Sequence, residues 1–412
     1  MFNFIFELVL ILPILIMAIS YGLPFLVQAV STKRHILGKD YTLEPQVSVM
    51  LPCFNEGSHV YETIKSLRNC EYPQDKLQIV AIDDCSTDDS YAWIQKAAVD
   101  FPNIIIGRNE VNSGKTRTVM RASHLTTGEI LVTVDSDTVF DKHAIKELVV
   151  CFTDPKVGAV GGRVGISNTN ETWISQIQTF FYYLCFFLPK SVENFVQSVS
   201  CVSGCLSSFR REPYMKIEEG LKKRNFMGIP VDDGDDRFIT QAMLYGGYKT
   251  IVNNDSQCWT KSPTTLRQLF SQQLRWRRSA IRSWIIDIKT TVTGRNKVHP
   301  LGVLYLFMPL FALSTMLTLS ITMYVTNSVH ELIGFLVMHM GVMGLFGLIY
   351  SQVVKRKNPE QTILNPLVFV CMPAYLYVDY LFITLLAMFT LDFGGWGTRQ
   401  SSPPSADLPT LP

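Results

Sequence analysis

The sequence lacks the patterns that mark several common protein classes. Its nine cysteines are scattered without CxxC pairs, which argues against a disulfide-stabilised secreted fold and agrees with reduced thiols in the cytoplasm. Its seven histidines are dispersed without metal-ligand spacing, so no histidine metal site is predicted. Charged residues make up only 17% of the 412 residues, whereas 47% are hydrophobic and concentrate at the two ends. This distribution predicts an integral membrane protein with a soluble middle region.

The N-terminal apolar run, residues 4–30, contains no Lys, Arg or Asp, and no basic residue precedes it. A secretory signal has a basic start and a shorter apolar stretch, so we expect a retained transmembrane helix at residues 1–31. Lys33 and Arg34 follow this run. By the positive-inside rule they indicate that the middle region is cytoplasmic.

Three further apolar runs predict a C-terminal transmembrane region at residues 299–392, with spans near 301–325, 331–353 and 363–391. The first two would form a hairpin, which returns the basic cluster 355–357 to the cytoplasm. We therefore expect a multi-pass protein of the cell membrane with the lipid bilayer as a partner.

The third run contains Pro366, Pro373 and Asp379, and this leaves two topologies open. It either spans with a tilt or is partly re-entrant, and the choice decides which side carries the Trp396 segment, residues 393–400. The tail 401–412 has four prolines and little apolar content, so we expect it to be disordered.

The middle region, residues 45–262, alternates short apolar runs with amphipathic segments of helical length. Strands are predicted at 47–51, 77–82, 103–106 and 129–134, and helices at 59–68, 91–100 and 116–124. This order predicts a doubly wound, Rossmann-like α/β domain whose strands are apolar on both sides, as in a buried parallel sheet. Such sheets bind ligands beyond the carboxyl ends of their strands.

Two predicted strands end in carboxylates. Asp135 and Asp137 follow the run 129–134 and face the same way in an extended chain, so together they can approach Mg²⁺ or Mn²⁺. Asp83 and Asp84 follow the run 77–82 and are candidates for hydrogen bonding to a nucleotide base or ribose. Turn capping by these aspartates is the structural alternative.

Lys115 lies in an Asn-Ser-Gly-Lys-Thr segment that superficially resembles a phosphate loop. The spacing does not fit, because the position that needs the first glycine is Asn109. Near a helix N-terminus Lys115 can still meet a phosphate as a point charge, and a solvated lysine is the alternative.

Asp236 is the candidate general base. It lies in an acidic cluster around Gly234, and a sugar hydroxyl that attacks an anomeric carbon needs a group to take its proton. Carboxylates this close raise one another's pKa values. An acidic cluster that caps the following helix is the alternative.

A helix at residues 263–292 is predicted to present Gln272, Arg275, Trp276 and Ser279 on one face, at spacings i, i+3, i+4 and i+7. An amide, a fixed cation and an aromatic plate can hold a phosphate leaving group beside a stacked sugar ring. The alternative is an amphipathic helix whose arginines and tryptophan anchor it at the lipid interface.

These motifs in this order resemble the membrane-embedded processive family 2 glycosyltransferases, and within them the group of hyaluronan, chitin and chitooligosaccharide synthases. The resemblance extends from residue 52 to residue 399. The motifs that carry it are Pro52-Cys53-Phe54-Asn55-Glu56, Asp83-Asp84, Asp135-Ser136-Asp137, Ser203-Gly204, Gly234-Asp235-Asp236-Arg237, Gln272-Gln273-Leu274-Arg275-Trp276 and Gly395-Trp396-Gly397-Thr398-Arg399.

The resemblance implies a GT-A catalytic domain, a UDP-sugar donor and an inverting, metal-dependent transfer onto a growing polysaccharide that is exported through the same chain. Asp83, Asp84, Lys115, Asp135, Gln272 and Arg275 would bind the donor, Asp137 with Asp135 the metal, and Trp276 the acceptor, with Asp236 as the base. Amphipathic helices at the membrane interface would join the site to the channel. No nucleic acid partner is expected.

Departures from the hyaluronan synthase pattern leave the product open. Cys205 stands where a proline is typical, and Arg163 where an acid is expected. UDP-GlcNAc, alone or alternating with UDP-GlcA, is the expected donor. Alternatives are a non-processive transferase that adds one sugar to a lipid, and a non-enzymatic nucleotide-binding transporter or receptor.

Overall fold

A computed structural model describes residues 18–24, 26–27, 38–226, 228–231, 233–293, 299–300, 303, 313–314, 316–317, 320–321, 324–325, 329–357 and 361–393. Most of the predicted N-terminal helix 1–31, most of the first predicted span 301–325, all but residue 393 of the Trp396 segment, and the tail 401–412 lie outside these residues.

The described chain forms strands and helices in the alternating order that the sequence predicts. The strands are β1 (Val47–Cys53), β2 (Leu77–Asp83), β3 (Ile104–Arg108), β4 (Ile130–Val134), β5 (Val139–Phe140), β6 (Val157–Ile166), β7 (Leu206–Arg210), β8 (Asn225–Phe226), β9 (Ile229–Pro230) and β10 (Lys249–Thr260). The helices of the α/β region are α1 (His59–Arg68), α2 (Ser90–Asp100), α3 (Lys115–His124), α4 (Ala144–Val149), α5 (Trp173–Tyr182), α6 (Leu188–Phe195), α7 (Arg211–Lys222) and α8 (Asp235–Tyr245). A 3₁₀ turn, Gln74–Lys76, precedes β2, and a π-helical turn, Tyr183–Phe187, joins α5 to α6.

Eight strands form one sheet in the order β3-β2-β1-β4-β7-β6-β10-β5. The four predicted strands are its parallel half, since β1 pairs in parallel with both β2 and β4, and β2 with β3. The expectation of a parallel sheet fails in the other half, where β7 runs antiparallel to both β4 and β6. The α/β Rossmann-like fold is therefore confirmed with a mixed sheet.

The sheet is buried on both faces because alternate residues of its central strands pack into different cores. Val49 and Leu51 of β1 join one apolar cluster, whereas Met50 joins the other. Strands with both faces covered lack polar alternation, which is why they read as continuous apolar runs. Because β1, β2 and β4 are parallel, their carboxyl ends lie at the same edge of the sheet.

The chain continues through long helices that pack on the α/β region. These are α9 (Leu266–Val292), α10 (His330–Lys357) and α11 (Leu367–Tyr377), the last continued by a π-helical turn, Val378–Ile383, and α12 (Thr384–Met388). A further π-helical turn spans Ala18–Gly22. A capping box between Thr265 and Gln268 starts α9, which fixes where the predicted helix begins.

One helix in the described part of the chain, Leu367–Met388, is long and apolar enough to cross a membrane. It spans 22 residues with a mean hydropathy of 1.7. It belongs to the predicted third run, 363–391. Within the second run, 331–353, the shorter segment Leu336–Gln352 is apolar.

Candidate active site

A cavity of about 600 Å³ lies where the carboxyl ends of the parallel strands meet α9 and the C-terminal helices. Its lining brings together predicted site residues that are up to 192 positions apart in the chain, from Asp84 to Trp276. The predicted residues among its lining are Asp84, Lys115, Asp135, Asp137, Asp236, Gln272, Arg275 and Trp276. The predicted donor residue Asp83 is not part of this lining.

Asp83 and Asp84 are both buried, at 0% and 1% exposed, but they face different groups. The Asp83 carboxylate accepts a hydrogen bond from the Ser86 N–H and pairs with the Arg108 guanidinium at 3.1 Å. Asp84 accepts hydrogen bonds from the backbone N–H groups of Ser113 (2.8 Å) and Gly114 (2.9 Å). Asp84 thus fixes the loop that presents Lys115, while Asp83 binds the neighbouring strand ends.

Lys115 begins α3, and its ammonium group donates to the carboxylate of Asp135. Burial by itself lowers the pKa of Lys115, yet the charges of Asp135 and Asp235 outweigh it and raise that pKa above its ordinary value. Burial raises the pKa of Asp135, but Lys115 outweighs it and holds that pKa below its usual range. The Cys205 thiol also contacts Asp135, with its Sγ 3.1 Å from Oδ2.

Asp137 has weaker partners than Asp135. Its two carboxylate oxygens lie 3.3 and 3.4 Å from the hydroxyls of Thr138 and Thr260. Burial, and after it the charge of Asp135, raises the pKa of Asp137. Burial and the charges of Asp137 and Asp135 likewise raise the pKa of Glu56 to about 7. In this corner of the cavity, burial and the closeness of the carboxylates therefore disfavour the ionised forms of Asp137 and Glu56.

The donor set of this corner consists of hard carboxylate and hydroxyl oxygens, the ligands that Mg²⁺ and Mn²⁺ prefer. Within the described residues, no group of three or more His, Cys, Asp or Glu side chains is arranged to hold a metal by itself. Magnesium sites with one or two carboxylates and substrate phosphates are common, so these residues fit a divalent ion that the donor helps to hold.

Asp236 lies in the first turn of α8, after Gly234, whose φ is +69°. Its Oδ1 accepts the N–H of Arg237 at 2.7 Å, and its Oδ2 accepts the N–H of Gly204 at 3.2 Å. Gly204 lies between Asp236 and Lys115, since a Cβ atom there would lie 3.3 Å from the Lys115 Nζ. The segment 203–205 thus connects the two carboxylate centres, with Gly204 contacting Asp236 and Cys205 contacting Asp135.

The predicted shared face of α9 borders the cavity, because Gln272, Arg275, Trp276 and Ser279 all line it. The Trp276 ring packs against Tyr182 and Phe186, with ring centroids 6.0 and 5.7 Å apart. The Gln272 Oε1 is buried with no hydrogen-bond partner. One side of the cavity therefore has an amide oxygen, a guanidinium and an indole ring near the acidic groups.

A buried ion pair joins α9 to the helix that can span a membrane. The guanidinium of Arg277 donates to the carboxylate of Asp379, which is 0% exposed. The same guanidinium lies 4.1 Å from the centre of the Tyr380 ring. Asp379, the charged residue noted in the third apolar run, is thus matched by a cation from α9.

The sequence reasoning gave no role to several residues that line the cavity, including Glu56, Asp235, Lys261 and Arg277. For Glu56 a signal existed, because it follows β1 as Asp84 follows β2 and Asp135 follows β4. The partner of Arg277 is 102 positions away, a distance that no local pattern reveals. Of the aromatic residues of α5, Phe180 is 0% exposed in the core and Trp173 is 54% exposed.

Comparison with known proteins identifies the family. A family model described as glycosyltransferase like family 2 matches residues 45–279, more than half of the chain. The chain belongs to this family. The match includes the strand-end acids, Asp236 and the Gln272 to Trp276 motif, and it makes the protein a glycosyltransferase.

Individual relatives narrow the group. The hyaluronan synthase of Streptococcus pyogenes is 27% identical over 395 residues, which are 93% of this chain and 88% of that protein. An N-acetylglucosaminyltransferase of Bradyrhizobium diazoefficiens is 30% identical over 256 residues, which are 62% of this chain and 53% of that protein. The resemblance to this group of family 2 glycosyltransferases is therefore confirmed.

A solved structure agrees with the fold. A mannosyltransferase from Pyrobaculum calidifontis, determined in complex with GDP-Man and Mn²⁺, superposes with a TM-score of 0.62 at 21% sequence identity. The alignment covers 92% of this chain and 99% of that one. This similarity supports the GT-A fold.

Proposed function

We propose that this glycosyltransferase is an inverting, metal-dependent and processive enzyme that polymerises UDP-sugars into a β-linked polysaccharide and exports it across the membrane. UDP-GlcNAc, alone or alternating with UDP-GlcA, is the proposed donor. The observation that carries the proposal is the shared cavity: Asp137, Asp236 and Trp276 line it together with Leu376 and Tyr380 of the apolar C-terminal segment.

The donor end of the proposed site is the acidic corner with its cations. Asp137, with Asp135 beside it, would hold Mg²⁺ or Mn²⁺, which when bound neutralises charge on the diphosphate. Lys115 and Arg275 line the same cavity, and their positive charges would stabilise the anionic leaving group. Asp84 would act indirectly, because its hydrogen bonds fix the loop before Lys115. Asp83, outside the cavity lining, would stabilise the ends of β2 and β3 through Ser86 and Arg108.

The acceptor end of the proposed site is formed by Asp236 and Trp276. The Asp236 carboxylate takes the proton of the acceptor hydroxyl as the new C–O bond forms at the anomeric carbon. The bond from that carbon to the diphosphate oxygen breaks at the same time, and the electron pair leaves with UDP. One displacement inverts the configuration, so an α-linked donor gives a β-linked product.

The neutral variant Asp236→Asn tests the base. Asn keeps the size of the side chain and can still accept the Gly204 N–H, but it cannot take a proton. We expect sugar transfer to fall by about 10²–10⁴-fold while UDP affinity stays within twofold. Asp75→Asn, at an exposed position of the same domain, is the matched control. Transfer at the control rate in Asp236→Asn would refute the base assignment.

The donor and product are tested with membranes that contain the protein. Labelled UDP-GlcNAc, UDP-GlcA and UDP-Glc are supplied singly and in pairs with Mg²⁺ or Mn²⁺, and the products are digested with hyaluronidase, chitinase or glucanase. We expect GlcNAc to enter a polymer, alone or only when UDP-GlcA is present. Recovery of label only as a single sugar on a lipid would contradict polymerisation and support the non-processive alternative.

A further inference from the structure

The Arg282 side chain links two parts of the chain that are 158 positions apart, Asp233 and Leu391. Its Nη1 donates to the Asp233 Oδ1 at 2.5 Å, and its Nη2 donates to the backbone carbonyl of Leu391 at 3.0 Å. The same Nη2 contacts the carbonyl of Phe393 at 2.5 Å, and Nε contacts Leu391 at 3.3 Å. Arg282 is 5% exposed and Asp233 is 2% exposed, so water does not replace these contacts.

On one side of this link lies the acidic loop, defined here as residues 233–236. The loop is pressed against α9, since a Cβ atom at Gly234 would come within 1.9 Å of the Ser279 Oγ. Asp236 lies two positions after Gly234, in the first turn of α8. A shift of the loop relative to α9 therefore moves the carboxylate that is proposed to take the acceptor proton.

On the other side lies the helix end, defined here as residues 389–393, which directly follow the apolar segment Leu367–Met388. Arg278, one turn earlier on α9, donates to the Thr390 hydroxyl at 2.9 Å and lies 5.2 Å from the Phe393 ring. The hydrogen bond and the ring contact of Arg278 thus go to the same helix end and not to the acidic loop.

We propose that Arg282 is a positioning residue that holds the acidic loop in a fixed position relative to the helix end. The consequence for catalysis rests on the proposed role of Asp236 as the base. Because one planar guanidinium contacts both sides, movement of the helix end while glycan passes along the cavity is transmitted to the loop. Arg282 thereby couples passage of the product to the geometry of proton transfer.

The variant Arg282→Lys keeps the charge but replaces the planar fork with one point donor, which cannot bind the carboxylate and both carbonyls together. We expect kcat to fall on the order of tenfold to a hundredfold, with the donor KM within twofold and shorter polymer chains. Arg278→Lys is the matched control, because it keeps the charge and loosens the same helix end, while the hydrogen bond it alters does not involve the loop. We expect its kcat and chain length to stay within twofold of the wild type.

Hydrogen exchange of the purified, UDP-bound protein tests the link without reference to activity. We expect the amides of residues 235–238 to exchange faster in Arg282→Lys than in the wild type or in Arg278→Lys. Asp233→Asn tests the loop side, since it leaves the carbonyl contacts intact, and we expect a smaller change in the same direction.

Two results would overturn the proposal: exchange and kcat of both Arg282→Lys and Asp233→Asn equal to those of the wild type, or an equal loss in Arg278→Lys. Neither of these two results is the one that would refute Asp236 as the base. Full transfer in Asp236→Asn would refute the base, whereas faster loop exchange in Arg282→Lys would still support the link.

Discussion

At the scale of single residues, the carboxylates around the cavity differ in what faces them. Asp135 is matched by Lys115, and its pKa is held low despite burial. For Asp137 and Glu56, burial and neighbouring negative charge outweigh the nearby lysines and raise their pKa values. A divalent cation would stabilise the ionised form of Asp137, so we expect it there rather than beside Asp84, whose oxygens accept backbone hydrogen bonds.

Gly234 is predicted to be required for both its backbone conformation and its lack of a side chain. Gly234→Ala would strain a φ of +69° and drive a methyl group into Ser279. We expect kcat to fall at least tenfold. Gly228→Ala is the matched control, because its φ is +86° but nothing lies within 4 Å of the added methyl. Steady-state kinetics of the two variants separate the steric effect from the backbone effect.

Removal of the Ser279 hydroxyl should partly rescue Gly234→Ala, since the nearest remaining contact to the methyl would be the Ser279 Cβ at 3.1 Å. Equal activity of Gly234→Ala and Gly228→Ala would contradict the close packing of the acidic loop on α9.

At the scale of elements, α9 connects the catalytic domain to the apolar helices through buried polar contacts. Arg277 pairs with Asp379, Arg282 with Asp233, and Asp287 accepts a hydrogen bond from Gln241 at 3.0 Å. Each of these residues faces a different element, so α9 is fixed on several sides at once. A helix that served only as a lipid anchor would have no need of these partners.

The Arg277–Asp379 pair is predicted to depend on both partners. Arg277→Met leaves a buried, unpaired carboxylate, which costs about 3–5 kcal/mol of stability. Arg277→Met combined with Asp379→Leu removes both charges, and we expect the double variant to be more stable than Arg277→Met. Thermal unfolding of the detergent-solubilised single and double variants measures this coupling. Strictly additive effects would show that the two side chains do not interact.

Asp287, at the junction of α8 and α9, predicts a pH dependence of stability. Burial is the main cause that raises its pKa from 3.8 to about 6. Because the folded state disfavours the ionised form, this group reduces stability increasingly as pH rises from about 4 to 6, and fully above that. Asp287→Asn does not ionise, so relative to the wild type it should gain up to about 3 kcal/mol over that window.

Thermal unfolding at pH 4.5 and pH 7.5 tests the Asp287 prediction, with Asp255→Asn as an exposed control. The difference between Asp287→Asn and the wild type should be more favourable at pH 7.5. A difference that is the same at both pH values would refute the assigned pKa.

The elements that could be predicted from the sequence are those marked by a pattern within their own residues, such as an apolar run or a helical spacing. The parallel strands β1, β2 and β4 are apolar on both sides, and α1 begins and ends at the predicted residues 59 and 68. The antiparallel β7 was missed, because its place between β4 and β6 depends on partners far away in the chain. The same reason hides the Arg282 link, whereas the Gln272 to Trp276 face follows from helical spacing alone.

At the scale of the whole molecule, the cavity unites the α/β domain with the C-terminal helices. Asp135 and Asp137, which follow β4, border the same space as residues of α8, α9 and the apolar segment Leu367–Met388. A family 2 glycosyltransferase that released single sugars would have no need for its acidic centre to share a cavity with such a helix. This continuity is the structural basis for proposing that transfer and export occur in one chain.

The central claim is tested most directly with sealed inside-out vesicles that contain the protein, supplied with labelled UDP-GlcNAc and UDP-GlcA. We expect labelled polymer to accumulate inside the vesicles, where added hyaluronidase and chitinase digest it only after detergent opens them. Polymer that these enzymes digest fully in intact vesicles, or label found only on lipid, would contradict the account.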